Sequence, residues 1–302
     1  MLCHNGVMTE HTYDLDNPTV QTLLNRRSIR AFADEAIPAD VIDTLESVAQ
    51  HAASSQYLND WSAIRITDPA IAAKLAEIGR QPYIAQAPLL YVFVLDEHRN
   101  ALIAKAKGVD TDSDDFTLNG SYRFTQAQND AVLALHAMET AAYSLGLGCV
   151  ILGSLLNDVD ALIDLLHLPK YTYPVLGLAM GVPAQEPKLK PRMPKSVQFF
   201  ENAYPEISDD VLSKIADFDA DVHQYYDLRN TDRPVDAFSD QIAKTPPRTW
   251  TNARFSRLPP VRDSVSIASS IVVRPVSPAR FMEEDGRTSP TTVHSPCLTL
   301  YA

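Results

Sequence analysis

The sequence predicts an α/β or α+β sandwich in which helices cover both faces of a β-sheet. The apolar run Leu89–Leu95 is rich in Val, Phe and Tyr, which is typical of a strand buried on both faces, and Val175–Val182 is a second such run. Segments with helical periodicity alternate with these strand-like segments. With 302 residues, 45% of them hydrophobic, the chain is long enough to bury a substantial core.

The predicted helices begin at residues that cap a helix or fix its first φ angle. Asn17 followed by Pro18 predicts a helix that ends at Leu24, and Asp68 followed by Pro69 predicts one that ends at Ile78. The other predicted elements are a helix opened by Pro38 with an apolar face on Val41, Ile42, Leu45, Val48 and Ala49, strands at 62–67 and 149–152, and helices at 126–145, 158–166 and 209–229.

The longest predicted helix, Gln126–Leu145, follows a polar loop at 108–120 and ends before Gly146, which suits a C-cap. Its apolar stripe has spacings of 4, 3, 4 and 3 residues, which is typical of a face packed in the core, and packing between two subunits is the alternative. The stripe consists of Ala131, Leu135, Met138, Ala142 and Leu145.

Composition and charge exclude several classes of protein. A net charge of −12 disfavours a broad surface for nucleic acid or anionic membranes, so any anion must be bound by a local basic cluster. The three cysteines are far apart and form no CxxC pair, which favours reduced thiols. The first 17 residues have no signal-peptide pattern, and the apolar runs are too short to cross a bilayer. We therefore expect a cytoplasmic protein without a membrane or nucleic-acid partner, starting at Met1 or Met8.

Familiar site motifs fail on their context. The glycines at 146, 148 and 153 resemble a dinucleotide fingerprint, but the third is two positions late and the segment runs from helix to strand, the reverse of the Rossmann order. The acidic stretch 110–115 lacks the glycine of a calcium loop. His136 has no partner at metal-ligand spacing, and GxSxG and Walker motifs are absent from the sequence, so no metal or catalytic side chain is predicted.

Two basic clusters stand out in this acidic chain. Arg26, Arg27 and Arg30 surround Ser28 directly after a predicted helix, whereas Lys190-Pro-Arg192 lies in a segment stiffened by prolines. Such clusters suit a phosphate monoester, which needs about two charge-assisted partners. Spacing alone leaves this interpretation and that of surface charges paired with acids equally open.

Eight segments carry a further signal through their order along the chain. They are Arg-Arg-Ser-Ile-Arg-Ala-Phe (26–32), Ala-Ala-Ser-Ser-Gln-Tyr-Leu (52–58), Ser-Ala-Ile-Arg-Ile-Thr-Asp (62–68), Gln-Pro-Tyr-Ile-Ala-Gln-Ala-Pro (81–88), Ser-Leu-Gly-Leu-Gly-Cys-Val-Ile-Leu-Gly-Ser (144–154), Leu-Lys-Pro-Arg-Met-Pro (189–194), Glu-Asn-Ala-Tyr (201–204) and Tyr-Tyr-Asp-Leu-Arg (225–229). Over about 19–242 they resemble the nitroreductase family, in its branch of oxygen-insensitive NADPH nitroreductases and NADPH–flavin oxidoreductases.

The resemblance implies a dimeric α+β three-layer sandwich, with a central, mostly antiparallel sheet, that binds FMN at the dimer interface. It implies two-electron ping-pong hydride transfer from NADPH to nitroaromatics, quinones or flavins, carried by FMN rather than by a catalytic side chain. The implied contacts are Arg26, Arg27, Lys190 and Arg192 for the phosphate and ribityl region, Ser28 and Arg30 for the pyrimidine end, Ser54 and Gln56 from the partner subunit, Gln81 and Tyr83 along the ring, Leu152 and Gly153 through backbone amides, and Arg229 for the NADPH 2′-phosphate.

The chain departs from the family pattern near the implied ring and at its end. Ser154 replaces a usual glycine and Ile151 a common aromatic residue, and beyond Lys244 the usual closing segment is not found. We expect an extension at 1–17, an FMN-binding domain at 18–258 and a disordered tail at 259–302. An NADH-preferring enzyme and a flavin-binding redox sensor or carrier remain alternatives, and the sequence does not identify the physiological acceptor.

Overall fold

The computed structural model has the two predicted buried strands at the centre of an antiparallel sheet. The strands are β1 (Trp61–Arg65), β2 (Leu89–Asp96), β3 (Gly148–Leu152) and β4 (Thr172–Gly181), in the order β1-β2-β4-β3. The prediction of strand β2 is confirmed, and its first seven residues are all buried. Strand β4 begins at Thr172, although the sequence predicted a start at Val175, after Pro174. The register shift opposite Phe93 and Val94 accommodates the proline.

The structure describes residues 13–113, 116–206, 210–227 and 236–244, which belong to one compact unit. The predicted tail 259–302, Arg229 and residues 1–12 lie outside these ranges, so the predicted domain limits stay predictions. In the described ranges, no helix is long and apolar enough to span a bilayer. The α-helices are α1 (Pro18–Leu24), α2 (Ala39–Gln50), α3 (Pro69–Gly79), α4 (His98–Ala106), α5 (Ser121–Ser144), α6 (Val159–Leu165), α7 (Val211–Lys214), α8 (Ala216–Asp227) and α9 (Phe238–Lys244).

The side chains of β2 alternate between two cores, one on each face of the sheet. Tyr91 and Phe93 pack in the core that contains Leu45 of α2 and Leu135 of α5. Leu90, Val92 and Val94 pack in the opposite core, with Leu75 of α3 and Leu162 of α6. This alternation follows from the two-residue period of a strand. The result is three layers, helices–sheet–helices, which confirms the predicted α+β class.

Capping signals predicted the helix ends well. Asn17 accepts a hydrogen bond from Val20 N, and Asp68 accepts one from Ala70 N, at the starts of α1 and α3. Gly146 has a φ of 82°, as expected for the residue that ends α5. The predicted stripe on α5 is buried except for Leu145, which is half exposed because it lies beyond the last helical turn.

One helix was not predicted, and two predicted helices were wrong in extent. Helix α4 was missed because its larger apolar residues, Leu102 and Ile103, are adjacent rather than three or four apart, and both are exposed. Helix α5 starts at Ser121, before its apolar stripe begins. The single helix predicted for 209–229 is interrupted at Ile215, whose φ and ψ of −111° and 6° are not helical, and α9 follows it.

The segment 28–33 lies along the end of the sheet formed by β3 and β4. Ile29 N donates to Cys149 O at 2.9 Å, and Ala33 N donates to Val182 O at 2.9 Å. A Cβ atom at Gly148 would lie 2.8 Å from three side-chain atoms of Ile29. Glycine at this position therefore permits the close approach of segment 28–33 to β3.

We expect Gly148→Ala to destabilise the protein by about 1–3 kcal/mol, because Ile29 must move away from β3 to make room for the methyl group. Urea unfolding followed by circular dichroism measures the loss. Gly153→Ala is the matched control, because the nearest atom to its added Cβ would be Leu176 Cδ2 at 3.9 Å. Equal stability of wild type and Gly148→Ala would contradict the packing argument.

Candidate functional site

A basic cavity of about 130 Å³ lies where segment 28–33 meets segment 185–192. It brings together all six residues that the sequence predicted for the phosphate, ribityl and pyrimidine contacts, although Arg30 and Lys190 are 160 positions apart in the chain. The lining consists of Arg26, Arg27, Ser28, Arg30, Gln185, Pro187, Lys188, Lys190, Arg192 and Tyr225.

Backbone pairing sets the direction of the side chains in the first cluster. Ile29 is bound to β3 through its N–H and is buried in the protein. In extended backbone, neighbouring residues point to opposite sides, so Ser28 and Arg30 both face away from the Ile29 contact. Both line the basic cavity.

The two adjacent arginines are held differently. Arg26 Nε and Nη2 lie 2.9 and 2.8 Å from Glu139 Oε1, and this carboxylate on α5 is buried. Arg27 Nη1 donates to Pro187 O at 3.0 Å and lies 3.2 Å from the exposed carboxylate of Glu186. Buried pairing neutralises much of the Arg26 charge, whereas water screens the Arg27 pair. Arg27 is therefore less neutralised than Arg26, and it can attract an anion in the cavity more strongly.

Helix α5 also fixes the backbone next to these arginines. The Tyr143 hydroxyl lies 2.5 Å from Arg27 O and 3.0 Å from Cys149 O. Burial raises the pKa of this hydroxyl above its ordinary value, and the nearby Cys149 and Glu139 add to the effect. Burial likewise raises the pKa of the Cys149 thiol, so Cys149 is a packing residue rather than a nucleophile.

Sequence reasoning missed several residues of this site. Lys188 could have been found, because residues 188, 190 and 192 alternate with the two-residue period of extended backbone. Tyr225 lay in the matching segment 225–229 but was assigned no role. Glu139 and Tyr143 carried no local signal, since they reach the site from a distant helix.

A second group forms just beyond the end of β3. The Ser154 hydroxyl donates to Gln81 Oε1 at 3.2 Å, and the Tyr83 hydroxyl donates to the same oxygen. Gly153 is exposed, whereas Leu152 is buried. The β3-end group comprises the predicted residues Gln81, Tyr83, Leu152 and Gly153 together with Ser154. Gly153 follows Cys149 by four residues, and Cys149 O accepts the hydrogen bond of Ile29 beside the basic cavity. At about 3.3 Å per strand residue, the group therefore lies about 13 Å along the strand from Cys149.

The remaining predicted contacts, Ser54 and Gln56, lie elsewhere in the chain. Gln56 Oε1 accepts a hydrogen bond from Arg123 Nη1 at 3.1 Å, near the start of α5. Arg26 contacts Glu139 near the other end of α5, sixteen residues later, which corresponds to about 24 Å of helix. The fold of the single chain therefore does not bring Ser54 and Gln56 to the basic cavity.

Three buried carboxyl groups lie beside Ser54 and Gln56. Asp60, Glu97 and Asp130 are each less than 4% exposed, and Arg123, whose Nε is 3.6 Å from Glu97 Oε1, is the cation among them. In the described part of the chain, neither oxygen of Asp60 has a hydrogen-bond donor. Burial, contact with Asp130 and the negative charges of Glu97 and Asp130 raise the pKa of Asp60 from 3.8 to about 7. A proton kept on Asp60 removes its negative charge from this group of buried acids and lets Asp60 donate a hydrogen bond to Asp130.

We expect this proton to make stability fall as the pH rises from about 4 to about 7, because unfolding then releases it. The contribution is about 1.4 kcal/mol per pH unit, and it levels off above pH 7, when Asp60 is ionised in both states. Asp60→Asn cannot ionise, and its amide can still donate to Asp130. Urea unfolding at pH 5, 6, 7 and 8 should show a flatter profile for this variant than for wild type.

The exposed Asp43 of α2 offers the control for this series. Asp43→Asn should keep the wild-type dependence on pH, because an exposed carboxyl group loses little solvation on folding. Parallel profiles for wild type and Asp60→Asn would contradict a retained proton at Asp60.

Known protein families and relatives match most of this chain. The model of the nitroreductase family matches residues 23–182, and that of the nitroreductase family C-terminal domain matches 190–257. An FMN reductase (NADPH) of Bacillus subtilis is 35% identical over 240 residues, which cover 78% of this chain and 95% of the relative.

Solved structures show the same likeness. The NfrA1 nitroreductase of B. subtilis has a TM-score of 0.72 at 34% identity, over 78% of this chain and 96% of that one. The NADPH:FMN oxidoreductase of Vibrio harveyi, solved in complex with NAD⁺, has a TM-score of 0.66 at 29% identity, over 75% and 90%. The chain belongs to the nitroreductase family.

Proposed function

We propose that this protein is an FMN-dependent NADPH oxidoreductase that reduces nitroaromatics, quinones or flavins in two-electron steps. The observation that carries the proposal is the basic cavity at one end of β3 with the open β3-end group at the other. The names of its relatives, an FMN reductase (NADPH) and an NADPH:FMN oxidoreductase, support the same activity.

The basic cavity suits the phosphate of FMN. A phosphate monoester carries a charge of about −1.5 to −2 at neutral pH and has three acceptor oxygens. Arg27, Lys190 and Arg192 supply cations for it, with Lys188 as a further one and Arg26 held in place by Glu139. Proline at 187 and 191 restricts the backbone that carries the lysines, so little entropy is lost when the phosphate binds.

The β3-end group suits the flat ring of a flavin. Space is open above Gly153, where a Cβ would have no atom closer than 3.9 Å, so a ring can approach the backbone there. Tyr83 and Ser154 both donate hydrogen bonds to Gln81 Oε1, and Gln81 and Tyr83 would line the ring. Ser28 and Arg30 would face its pyrimidine end, where a cation favours the negative charge of the reduced state.

Bound FMN would supply the chemistry, accepting a hydride from NADPH and passing it to the second substrate in ping-pong order. The protein's residues would bind and orient, and no side chain would need to act as an acid or base. Ser54 and Gln56 would reach the FMN of the other subunit in a homodimer, since their own basic cavity lies at the far end of α5.

We expect the purified protein to be yellow, with one FMN per subunit, and anaerobic NADPH to bleach its visible absorption. The double variant Lys190→Ala/Arg192→Ala should bind FMN at least about 100-fold more weakly, because each charge-assisted contact contributes about 1.5–3 kcal/mol. Titration of the apoprotein, followed by flavin fluorescence, measures the change. The exposed Lys195, just beyond this segment, provides the control Lys195→Ala.

Two outcomes of that experiment would contradict the proposal. A colourless protein that ignores added FMN would exclude a flavin enzyme. A yellow protein that neither NADPH nor NADH bleaches would point to a flavin-binding sensor or carrier.

We further propose that Arg229 binds the 2′-phosphate of NADPH, as its place in the family motif suggests. Arg229→Ala should raise the KM for NADPH about 10-fold or more and leave the KM for NADH unchanged, because only NADPH carries the phosphate. Steady-state kinetics with both nucleotides measures this. Equal wild-type activity with the two nucleotides would exclude the preference for NADPH.

A further inference from the structure

The segment 54–59 has an unusual backbone. Gln56, Tyr57 and Asn59 have φ angles of 52°, 57° and 49°, in the left-handed region that favours glycine. None of the three is a glycine, so the surrounding structure must impose this shape. Tyr57 is 84% exposed, so the shape does not serve to bury its aromatic ring.

The first turns of α5 hold the start of this segment. Its later part is held by a hydrogen bond from Asn59 N to Ser54 Oγ at 2.8 Å and by one from Asn100 Nδ2 of α4 to Leu58 O at 3.1 Å. Both carboxylate oxygens of Asp130 accept from Ser55 N at 3.0 Å. Gln126 Nε2 donates to Ser55 Oγ at 2.5 Å, and Gln126 Oε1 accepts from Arg123 at 2.6 Å. Segment 54–59 is thus tied to α5 through its backbone and through two of its side chains, those of Ser55 and Gln56.

One of these contacts determines which way the Gln56 amide faces. A guanidinium group only donates hydrogen bonds, so the atom of Gln56 that meets Arg123 must be the carbonyl oxygen Oε1. The amide Nε2 is then turned away from Arg123. Arg123 is 8% exposed and sits among buried carboxyl groups, so it cannot turn aside easily.

A gain in stability alone does not account for this polar cluster. Buried ion pairs and carboxyl groups add less stability than apolar side chains of similar size. Hydrogen bonds between such groups have a defined geometry, and here they fix the conformation of segment 54–59.

We propose that Arg123 and Gln126 are positioning residues that fix the Gln56 amide, through their contacts with Gln56 and Ser55, in the orientation in which one subunit offers it to the FMN of its partner. Gln56 then acts as a hydrogen-bond donor, through Nε2, to an oxygen of the cofactor. This inference rests on the proposed function, because it requires FMN at a dimer interface.

The variant Gln126→Ala tests the proposal, because it removes the links to Ser55 and Arg123 without burying an unpaired charge. We expect FMN to bind about 10-fold more weakly to the apoprotein, with the dimer mass unchanged in light scattering. Hydrogen exchange of the apoprotein should show faster exchange in segment 54–59. Gln128→Ala is the matched control, since Gln128 is exposed and lies about 200° around the same helix.

A mixed dimer separates positioning of the partner's site from a general structural effect. In a heterodimer of Gln126→Ala and Arg27→Ala subunits, one site combines both changes. The other site has an intact Arg27 from the first subunit and an intact segment 54–59 from the second. We expect that site to bind FMN with wild-type affinity, so that half of the sites are restored.

Each result has a definite meaning. A heterodimer without a restored site, or Gln126→Ala with wild-type FMN affinity, would overturn the inference and leave the proposed function intact. A wild-type protein that binds no FMN would instead overturn the proposed function. If Gln126→Ala does not fold, Ser55→Ala removes the same hydrogen bond from the other side and takes its place in both experiments.

Discussion

The packing of α5 across one face of the sheet is the constraint on which the rest of the site depends. Near its C-terminal end, Glu139 and Tyr143 hold Arg26 and the backbone of Arg27 beside the basic cavity. Near its start, Arg123 and Asp130 hold segment 54–59. Because a helix is rigid and the buried stripe fixes its position, these two anchoring points stay about 24 Å apart. One element therefore shapes two distant surfaces.

This separation explains why a single chain does not bring all the predicted contacts together. The basic cavity and the β3-end group are neighbours along β3, but Ser54 and Gln56 lie beside the other end of α5. No movement of a side chain spans that distance. The proposed function therefore assigns segment 54–59 to the cavity of a second copy of the chain.

Local signals in the sequence predicted most of the fold. Continuous apolar runs identified β2 and β4, and capping residues such as Asn17 and Asp68 marked the helix starts, because these effects act over a few residues. Helix α4 was missed for the same reason, since Leu102 and Ile103 do not form a helical stripe. The order of the family motifs brought Arg27 and Lys190 into one site, which spacing alone had left open.

The contacts that were not predicted join residues far apart in the chain. Arg26 and Glu139 are 113 residues apart, and Ser55 and Asp130 are 75 apart. No periodicity in either segment indicates such a pair, because it follows from where α5 lies in the folded protein. Lys188 differs, because its two-residue spacing to Lys190 and Arg192 was visible in the sequence.

Acidic residues of the chain have a structural role at these contacts. Its net charge of −12 does not spread evenly, because carboxyl groups such as Glu139 and Asp130 are buried where they hold an arginine side chain or a backbone N–H in place. A buried carboxylate binds such donors in a fixed direction, whereas an exposed one would let them move. Acidic residues inside the protein thus set the geometry of a site whose own surface is basic. Arg26 is one example, because it lines the basic cavity while the buried Glu139 neutralises much of its charge.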